Sequence, residues 1–135
     1  MKTCISTYSF WRAFVAGQIT YPEMLQKSKE LGCTGIEFVV DDVAPDKTTD
    51  LEAFWTSLKE EADKLCLETP IYTTGANFFQ KDVRSEIERV KKHVDLASKL
   101  GIKLMRQLAE NQGYASFAFY CFGLSLFTFI LNLLA

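Results

Sequence analysis

A helix followed by a short apolar strand recurs three times in this chain at nearly constant spacing. Leu31, Leu65 and Leu100 each close an amphipathic segment that precedes an apolar run, and they lie 34 and 35 residues apart. A period of this length is typical of a repeated supersecondary unit. Because each unit contains a helix and then a strand, with no hairpin signal, the repeat predicts parallel strands joined by right-handed crossovers.

The first unit, residues 20–40, shows this pattern most clearly. Thr20 and Glu23 have the spacing of a capping box at the start of a helix. Glu37 then interrupts the apolar run of residues 35–40, which is expected to be a buried strand. A buried carboxylate without a partner is costly, so we expect either a functional role or an ion pair at this position.

The remaining elements follow in the same order. Strands are expected over residues 3–9, 71–74 and 102–106, and helices over 51–65 and 82–100. Thr49 and Glu52 are expected to cap the helix over 51–65. The order β-α-β-α-β-α-β predicts an α/β fold with about four parallel strands and three helices. That content corresponds to half of an eight-fold barrel or to an open, flavodoxin-like sheet. No glycine-rich phosphate loop follows the first strand, which gives a nucleotide site little support.

Aromatic side chains are concentrated directly after the first strand. Tyr8 stands near the end of the predicted strand, and Phe10 and Trp11 begin the segment, residues 10–18, that is predicted to be a loop. In βα barrels the loops at the carboxyl ends of the strands hold the ligand. These side chains are therefore candidate ligand contacts, with packing against the first helix as the alternative.

Charge and cysteine usage restrict the classes of partner. The formal net charge is −2, so there is no basic footprint for nucleic acid. The four cysteines include no C-x-x-C pair, so zinc and iron–sulfur spacing is absent, and Cys4, Cys33 and Cys66 are expected as small core residues. His93 has no evident ligand partner and is predicted to lie on a helix surface. No signal peptide is evident, which predicts a cytoplasmic location for residues 1–110.

The composition changes abruptly after Glu110. The 25 residues that follow carry no charge, and residues 114–135 are almost wholly apolar. At about 1.5 Å per residue, a helix over this segment could span a hydrocarbon core of about 30 Å. We therefore predict a barrel-like region over residues 1–108, a linker over 109–113 and a hydrophobic, transmembrane helix over 114–135.

Four stretches, taken in order, carry a resemblance to a known family. They are ISTYSFW, ELGCTGIEF, PIYTTGANF and LASKLGIKLMR, and they span roughly four-fifths of the chain. Together they resemble the sugar phosphate isomerase/epimerase family of xylose isomerase-like TIM barrels. The resemblance implies a TIM-type barrel that acts on a sugar or polyol. It also implies a divalent metal, such as Mg²⁺ or Mn²⁺, that polarises the substrate carbonyl.

The resemblance also suggests which residues face the substrate. Glu37, Asn77 and Arg106 would stand at the carboxyl ends of the second, third and fourth strands, together with Tyr8 and Trp11 after the first. All five are therefore candidate substrate-binding residues, while the catalytic residues stay unassigned. As alternatives, Asn77 could shape a turn and Arg106 could be the structural partner of Glu37.

The departure from the family concerns the metal. The second half of the family's barrel bears the metal ligands, whereas here Arg106 leads into the apolar tail, so no metal is expected in this chain. The leading interpretation is a truncated family member that is inactive alone. The alternative is a tail-anchored membrane protein whose βα region is a binding or interaction module. A third interpretation is that the tail packs on the half barrel, or that two copies pair to complete eight strands.

Overall fold

The computed structural model describes residues 2–42, 44–78, 80–109 and 118–122. Two units can be distinguished, Met1–Pro70 and Ile71–Ala135. Both combine helices with parallel strands, so the predicted α/β class is confirmed.

The first unit contains two strands that pair in parallel. Its elements are β1 (Cys4–Ser6), a 3-10 helix (Thr7–Phe10), α1 (Trp11–Val15), α2 (Tyr21–Glu30), β2 (Gly35–Val39) and α3 (Leu51–Lys64). In the register of the two strands Ile5 lies opposite Ile36, and Ser6 lies opposite Glu37. The segment 10–18, predicted to be a loop, instead contains the end of the 3-10 helix and all of α1.

The two longer helices of this unit begin differently from one another. At the start of α2 the Glu23 carboxylate accepts hydrogen bonds from the backbone N–H and the hydroxyl of Thr20, both at 2.7 Å. The prediction that Thr49 and Glu52 cap the start of α3 is wrong. Asp50 is the cap there, because its carboxylate accepts from the backbone N–H groups of Glu52 and Ala53, while the Thr49 hydroxyl donates to Asp46.

The core of the first unit lies on one face of β2. Ile36 and Phe38 are completely buried, and the ring centroids of Phe38 and Trp55 are 5.2 Å apart, which places α3 against this face. Because side chains alternate along a strand, Glu37 belongs to the opposite face. Gly35 fits where a side chain would not, since an added Cβ would lie 2.9 Å from the backbone oxygen of Glu68.

Two of the cysteines predicted to be core residues are exposed. Cys4 begins β1 and Cys66 follows α3 in a left-handed conformation with φ of 54°, which turns the chain at the surface. Cys33 is half-buried. The prediction of a core role is therefore wrong for Cys4 and Cys66.

The second unit consists of β3 (Ile71–Ala76), α4 (Val83–Lys99), β4 (Leu104–Ala109) and β5 (Ala118–Phe122). β3 and β4 pair in parallel, with Thr73 opposite Arg106. The buried residues Ile87, Val90 and Ala97 of α4 follow the helical period from which this helix was predicted.

The tail differs from its prediction where the structure describes it. Residues 118–122 form β5, antiparallel to β4, so these five residues are strand rather than part of a helix. The rest of the predicted helix over residues 114–135, like the linker beyond Ala109, lies outside the described residues. Within the described part of the chain, no helix combines the length and the apolarity that a membrane span requires.

Candidate functional site

The segment after β1 forms one wall of a cleft in the first unit. The Ser6 hydroxyl accepts from the backbone N–H of Tyr8 at 3.3 Å and so begins the 3-10 helix. The Thr7 hydroxyl oxygen accepts from the backbone N–H of Val39 at 3.0 Å, which ties this segment to the carboxyl end of β2. The aromatic residues that follow are therefore held beside the ends of two parallel strands.

This cleft has a volume of about 220 Å³, and four aromatic rings of the described residues line it. Tyr8 and Trp11 are stacked, with ring centroids 6.4 Å apart and planes 11° apart. The Trp11–Phe14 and Phe14–Tyr21 centroid distances are 6.1 and 5.0 Å, so the rings form a continuous series. Tyr8 is 66% exposed and Trp11 44% exposed, which leaves large aromatic surfaces available to a ligand.

One carboxylate, that of Asp41, completes the lining of the cleft. Burial raises the pKa of the Tyr21 hydroxyl to about 12, and the negative charge of Asp41 adds to this shift. The cleft therefore combines flat apolar surfaces with hydroxyl groups and a hydrogen-bond-accepting anion. Such a combination suits a ligand that has both an apolar face and donors at its edge.

Glu37 is buried in β2, with 7% of its surface exposed, and it is not among the described residues that line the cleft. Desolvation raises the pKa of the Cys4 thiol, and the carboxylate of Glu37 raises it further. Glu37 thus belongs to the sheet face that carries Cys4 and Ser6. Its predicted contact with substrate stays a prediction.

Asn77 and Arg106 lie in the second unit. The Arg106 Nε donates to the Thr73 hydroxyl at 3.1 Å, across the register of β3 and β4. Asn77 follows β3, and its backbone N–H donates to Oε1 of Glu86 at 2.7 Å. Four residues of extended strand, about 13 Å, separate Thr73 from Asn77. Arg106 therefore lies in the middle of β4, beside Thr73, whereas Asn77 lies beyond the end of β3.

A buried polar network connects β3 to α4, and no pattern in the sequence predicts it. His93 is 3% exposed rather than on the helix surface, and its Nδ1 lies 2.6 Å from the Tyr72 hydroxyl. Arg89 lies between His93 and Glu86, and its Nη2 donates to the backbone oxygen of Gly75 at 2.6 Å. Glu86 also accepts the Asn77 N–H, so the network holds the start of the loop that follows β3.

The donor groups of the described residues do not match the metal site that the resemblance implies for the complete barrel. In residues 2–42, 44–78, 80–109 and 118–122 no three His, Cys, Asp or Glu side chains are grouped so that they could hold a metal ion. Glu37 contributes one carboxylate on the face of β2, but no such group forms around it.

The candidate site contains residues beyond those predicted from the sequence. Tyr8 and Trp11 were predicted, whereas Tyr21 and Asp41 were not. A signal for Asp41 exists, since it is an acid placed directly after a predicted strand, at the end where βα folds bind ligands. Tyr21 carries no such signal, because its position in a first helical turn is explained equally well by packing.

No protein-family model matches the chain, and a search of curated proteins finds no match.

Proposed function

We propose that the first unit binds a sugar or polyol in the cleft between Tyr8, Trp11 and Asp41. The chain would then be the substrate-side half of a TIM-type barrel of the sugar phosphate isomerase/epimerase kind. The observation that carries this proposal is the position of the cleft at the carboxyl ends of two parallel strands, β1 and β2. This is the end of βα strands at which such folds bind their ligands.

The chemistry of the cleft supports a hydroxylated ring as ligand. A sugar ring has an apolar C–H face that packs on an aromatic plane, which the stacked pair of Tyr8 and Trp11 offers. Its hydroxyl groups donate hydrogen bonds, which the Asp41 carboxylate accepts. Glu37, Asn77 and Arg106 are proposed as further substrate contacts once a barrel is completed.

The expected activity of this chain is binding without turnover. Isomerisation in the family that it resembles needs a cation to polarise the carbonyl and stabilise the developing enediolate. The resemblance assigns the ligands of that cation to the half of the barrel that follows Arg106. An aldose–ketose conversion assay with added Mg²⁺ or Mn²⁺ checks this expectation, and genuine turnover by the purified chain would overturn it.

Binding itself can be measured at Trp11. The chain has two tryptophans, of which Trp11 lines the cleft and Trp55 is buried, so fluorotryptophan labelling gives a reporter and an internal control. On titration with monosaccharides and polyols, we expect a saturable shift of the Trp11 resonance only. Trp11→Leu should abolish binding detected by calorimetry, whereas Val15→Ala, an exposed change on the same short helix, should leave it unchanged. Absence of a saturable shift with every sugar and polyol would refute the proposal.

A membrane anchor over residues 114–135 is the second candidate, and the uncharged run after Glu110 favours it. The basic residues lie on the N-terminal side, which would keep the βα region cytoplasmic. Carbonate extraction of the tagged full chain tests this, and complete release into the supernatant would exclude an integral anchor.

A further inference from the structure

The Asp41 carboxylate is the one formal charge among the described residues that line the cleft. Its side chain is exposed, and it forms neither an ion pair nor a hydrogen bond with another described residue. An unpaired anion at the wall of a cleft raises the local concentration of cations and repels anions. Among the described lining residues, the cleft therefore carries one negative charge and no positive charge.

The four aromatic rings, like the Asp41 carboxylate, favour a cation in the cleft. The face of an aromatic ring carries the negative part of its quadrupole, so a cation within about 6 Å of the ring centre is attracted to it. Tyr8, Trp11, Phe14 and Tyr21 all contribute to the lining of this one cavity. Several aromatic rings beside one carboxylate form the type of site that recognises ammonium groups.

A lysine of the chain itself lines a neighbouring cavity but forms no ion pair with Asp41. Lys47 lines a neighbouring cavity of about 200 Å³, which Asp41 and Trp11 also line. Lys47 forms no ion pair with a described residue. No lysine or arginine is found among the described residues that line the cleft itself, so a phosphate group would meet the Asp41 charge without a counter-charge.

We propose that the cleft recognises an ammonium group, and that the sugar it prefers is an amino sugar rather than a neutral or phosphorylated one. The sugar part of this inference rests on the proposed function. The ammonium part rests on the aromatic rings and on Asp41 alone. In this arrangement the ring of the ligand packs on Trp11 while its ammonium group lies between the aromatic faces and the carboxylate.

A matched series of ligands tests the proposal on the full chain at constant ionic strength. Glucosamine, glucose, N-acetylglucosamine and glucose-6-phosphate share one ring; the first is a cation, the second and third are neutral, and the last is an anion. Tetramethylammonium supplies the cation alone. We expect glucosamine to bind roughly tenfold more tightly than glucose, and the phosphate ester to bind most weakly. Equal affinity for glucosamine and glucose, or tighter binding of the phosphate ester, would overturn the inference.

Charge variants locate the effect. Asp41→Asn should bring the affinities for glucosamine and glucose to within about twofold of each other, because it removes the anion and keeps the shape. Glu30→Gln makes the same change in net charge on the exposed surface of α2 and should leave the preference intact. Lys47→Gln should strengthen glucosamine binding slightly. A preference for glucosamine that survives in Asp41→Asn contradicts the assignment to Asp41.

The two proposals fail in different ways. If tetramethylammonium binds and shifts the Trp11 resonance while no sugar does, the ammonium site stands and the sugar-binding function falls. If glucose and glucosamine bind equally, the function stands and the ammonium preference falls. If none of the five ligands binds, both are wrong.

Discussion

The hydroxyl oxygen of Tyr72 lies 2.6 Å from Nδ1 of His93, and both side chains are buried. Arg89 Nη1 lies 3.4 Å from the other ring nitrogen and can only donate. This arrangement favours the neutral imidazole with its proton on Nδ1, which then donates to Tyr72. The contact joins the centre of β3 to the middle of α4.

Removing this hydrogen bond should destabilise the chain measurably. Tyr72→Phe keeps the ring and deletes the hydroxyl, and we expect the free energy of unfolding to fall by about 1 kcal/mol. Urea denaturation followed by circular dichroism measures the change. Tyr8→Phe makes the same substitution at a side chain that is 66% exposed and serves as the control. Equal stability of the two variants would show that the buried contact contributes nothing.

Two ion pairs on α4 have the same spacing but different environments. Glu86 and Arg89 are 2.8 Å apart with the Glu86 side chain buried, whereas Glu88 and Lys91 are 2.9 Å apart with Glu88 exposed. In urea denaturation, Glu86→Ala should lower the free energy of unfolding by roughly 3 kcal/mol, because it leaves Arg89 and the Asn77 N–H without this acceptor. Glu88→Ala should lower it by less than about 1 kcal/mol.

Hydrogen exchange provides a second measurement of the same network. In Glu86→Ala the amide of Asn77 should exchange faster, because its N–H donates to Oε1 of Glu86. In Glu88→Ala the exchange rate at Asn77 should match that of the unmodified chain. Unchanged protection of Asn77 in the Glu86 variant would contradict the role of Glu86 in holding this loop.

The raised pKa of Tyr21 predicts a loss of stability at alkaline pH. Its pKa is raised from an ordinary value of 10.0 to about 12 in the folded chain, chiefly by burial. Below pH 10 the hydroxyl is protonated in both states; above it, the unfolded chain releases the proton first, so stability falls until about pH 12. At about 1.4 kcal/mol per pKa unit, the loss from this residue is roughly 2–3 kcal/mol.

The comparison with Tyr21→Phe isolates this contribution. The phenylalanine variant keeps the packing of the ring but has no hydroxyl to ionise. Denaturation at a series of alkaline pH values should therefore show a smaller decline for the variant than for the unmodified chain. Parallel curves for the two proteins would show that Tyr21 ionises no later in the folded than in the unfolded state.

The thiol of Cys4 reports on the charge of Glu37. Because desolvation and then the Glu37 carboxylate raise the pKa of Cys4, Glu37→Gln should lower it and increase the thiolate fraction. Cys4 should then react faster with iodoacetamide at slightly alkaline pH, as measured by mass spectrometry of the alkylated peptides. Cys66 in the same sample is the control. An unchanged rate at Cys4 would mean that the charge of Glu37 does not reach the thiol.

Local signals in the sequence predicted much of the fold. The cap of α2 at Thr20 and Glu23 needs only neighbouring residues, and it is present. The start of α3 at residue 51 was predicted correctly, but its cap was not, because Thr49, Asp50 and Glu52 are all plausible capping residues. The choice of Asp50 depends on Thr49 being bonded to Asp46 instead, which is a feature of the loop conformation and not of the capping pattern.

Long-range partners explain what could not be predicted. His93 lies beside the apolar stripe of α4, and it is buried in contact with Tyr72, which is 21 residues away in the chain. Asp41 belongs to the cleft because the 3-10 helix and α1 carry Trp11 to the end of β2. The course of these two helices depends on the backbone conformation after β1. The sequence alone shows that this segment is aromatic, but not which strand end it lies against.

The antiparallel pairing of β5 with β4 has a consequence for assembly. β3 occupies one edge of β4, and β5 occupies the other from Leu104 to Leu108. A parallel barrel would add its fifth strand at that second edge. A complementary fragment or a second copy could therefore extend the sheet there only by strand displacement, and the rate of such complementation would be set by the dissociation of β5 rather than by the encounter of the two chains.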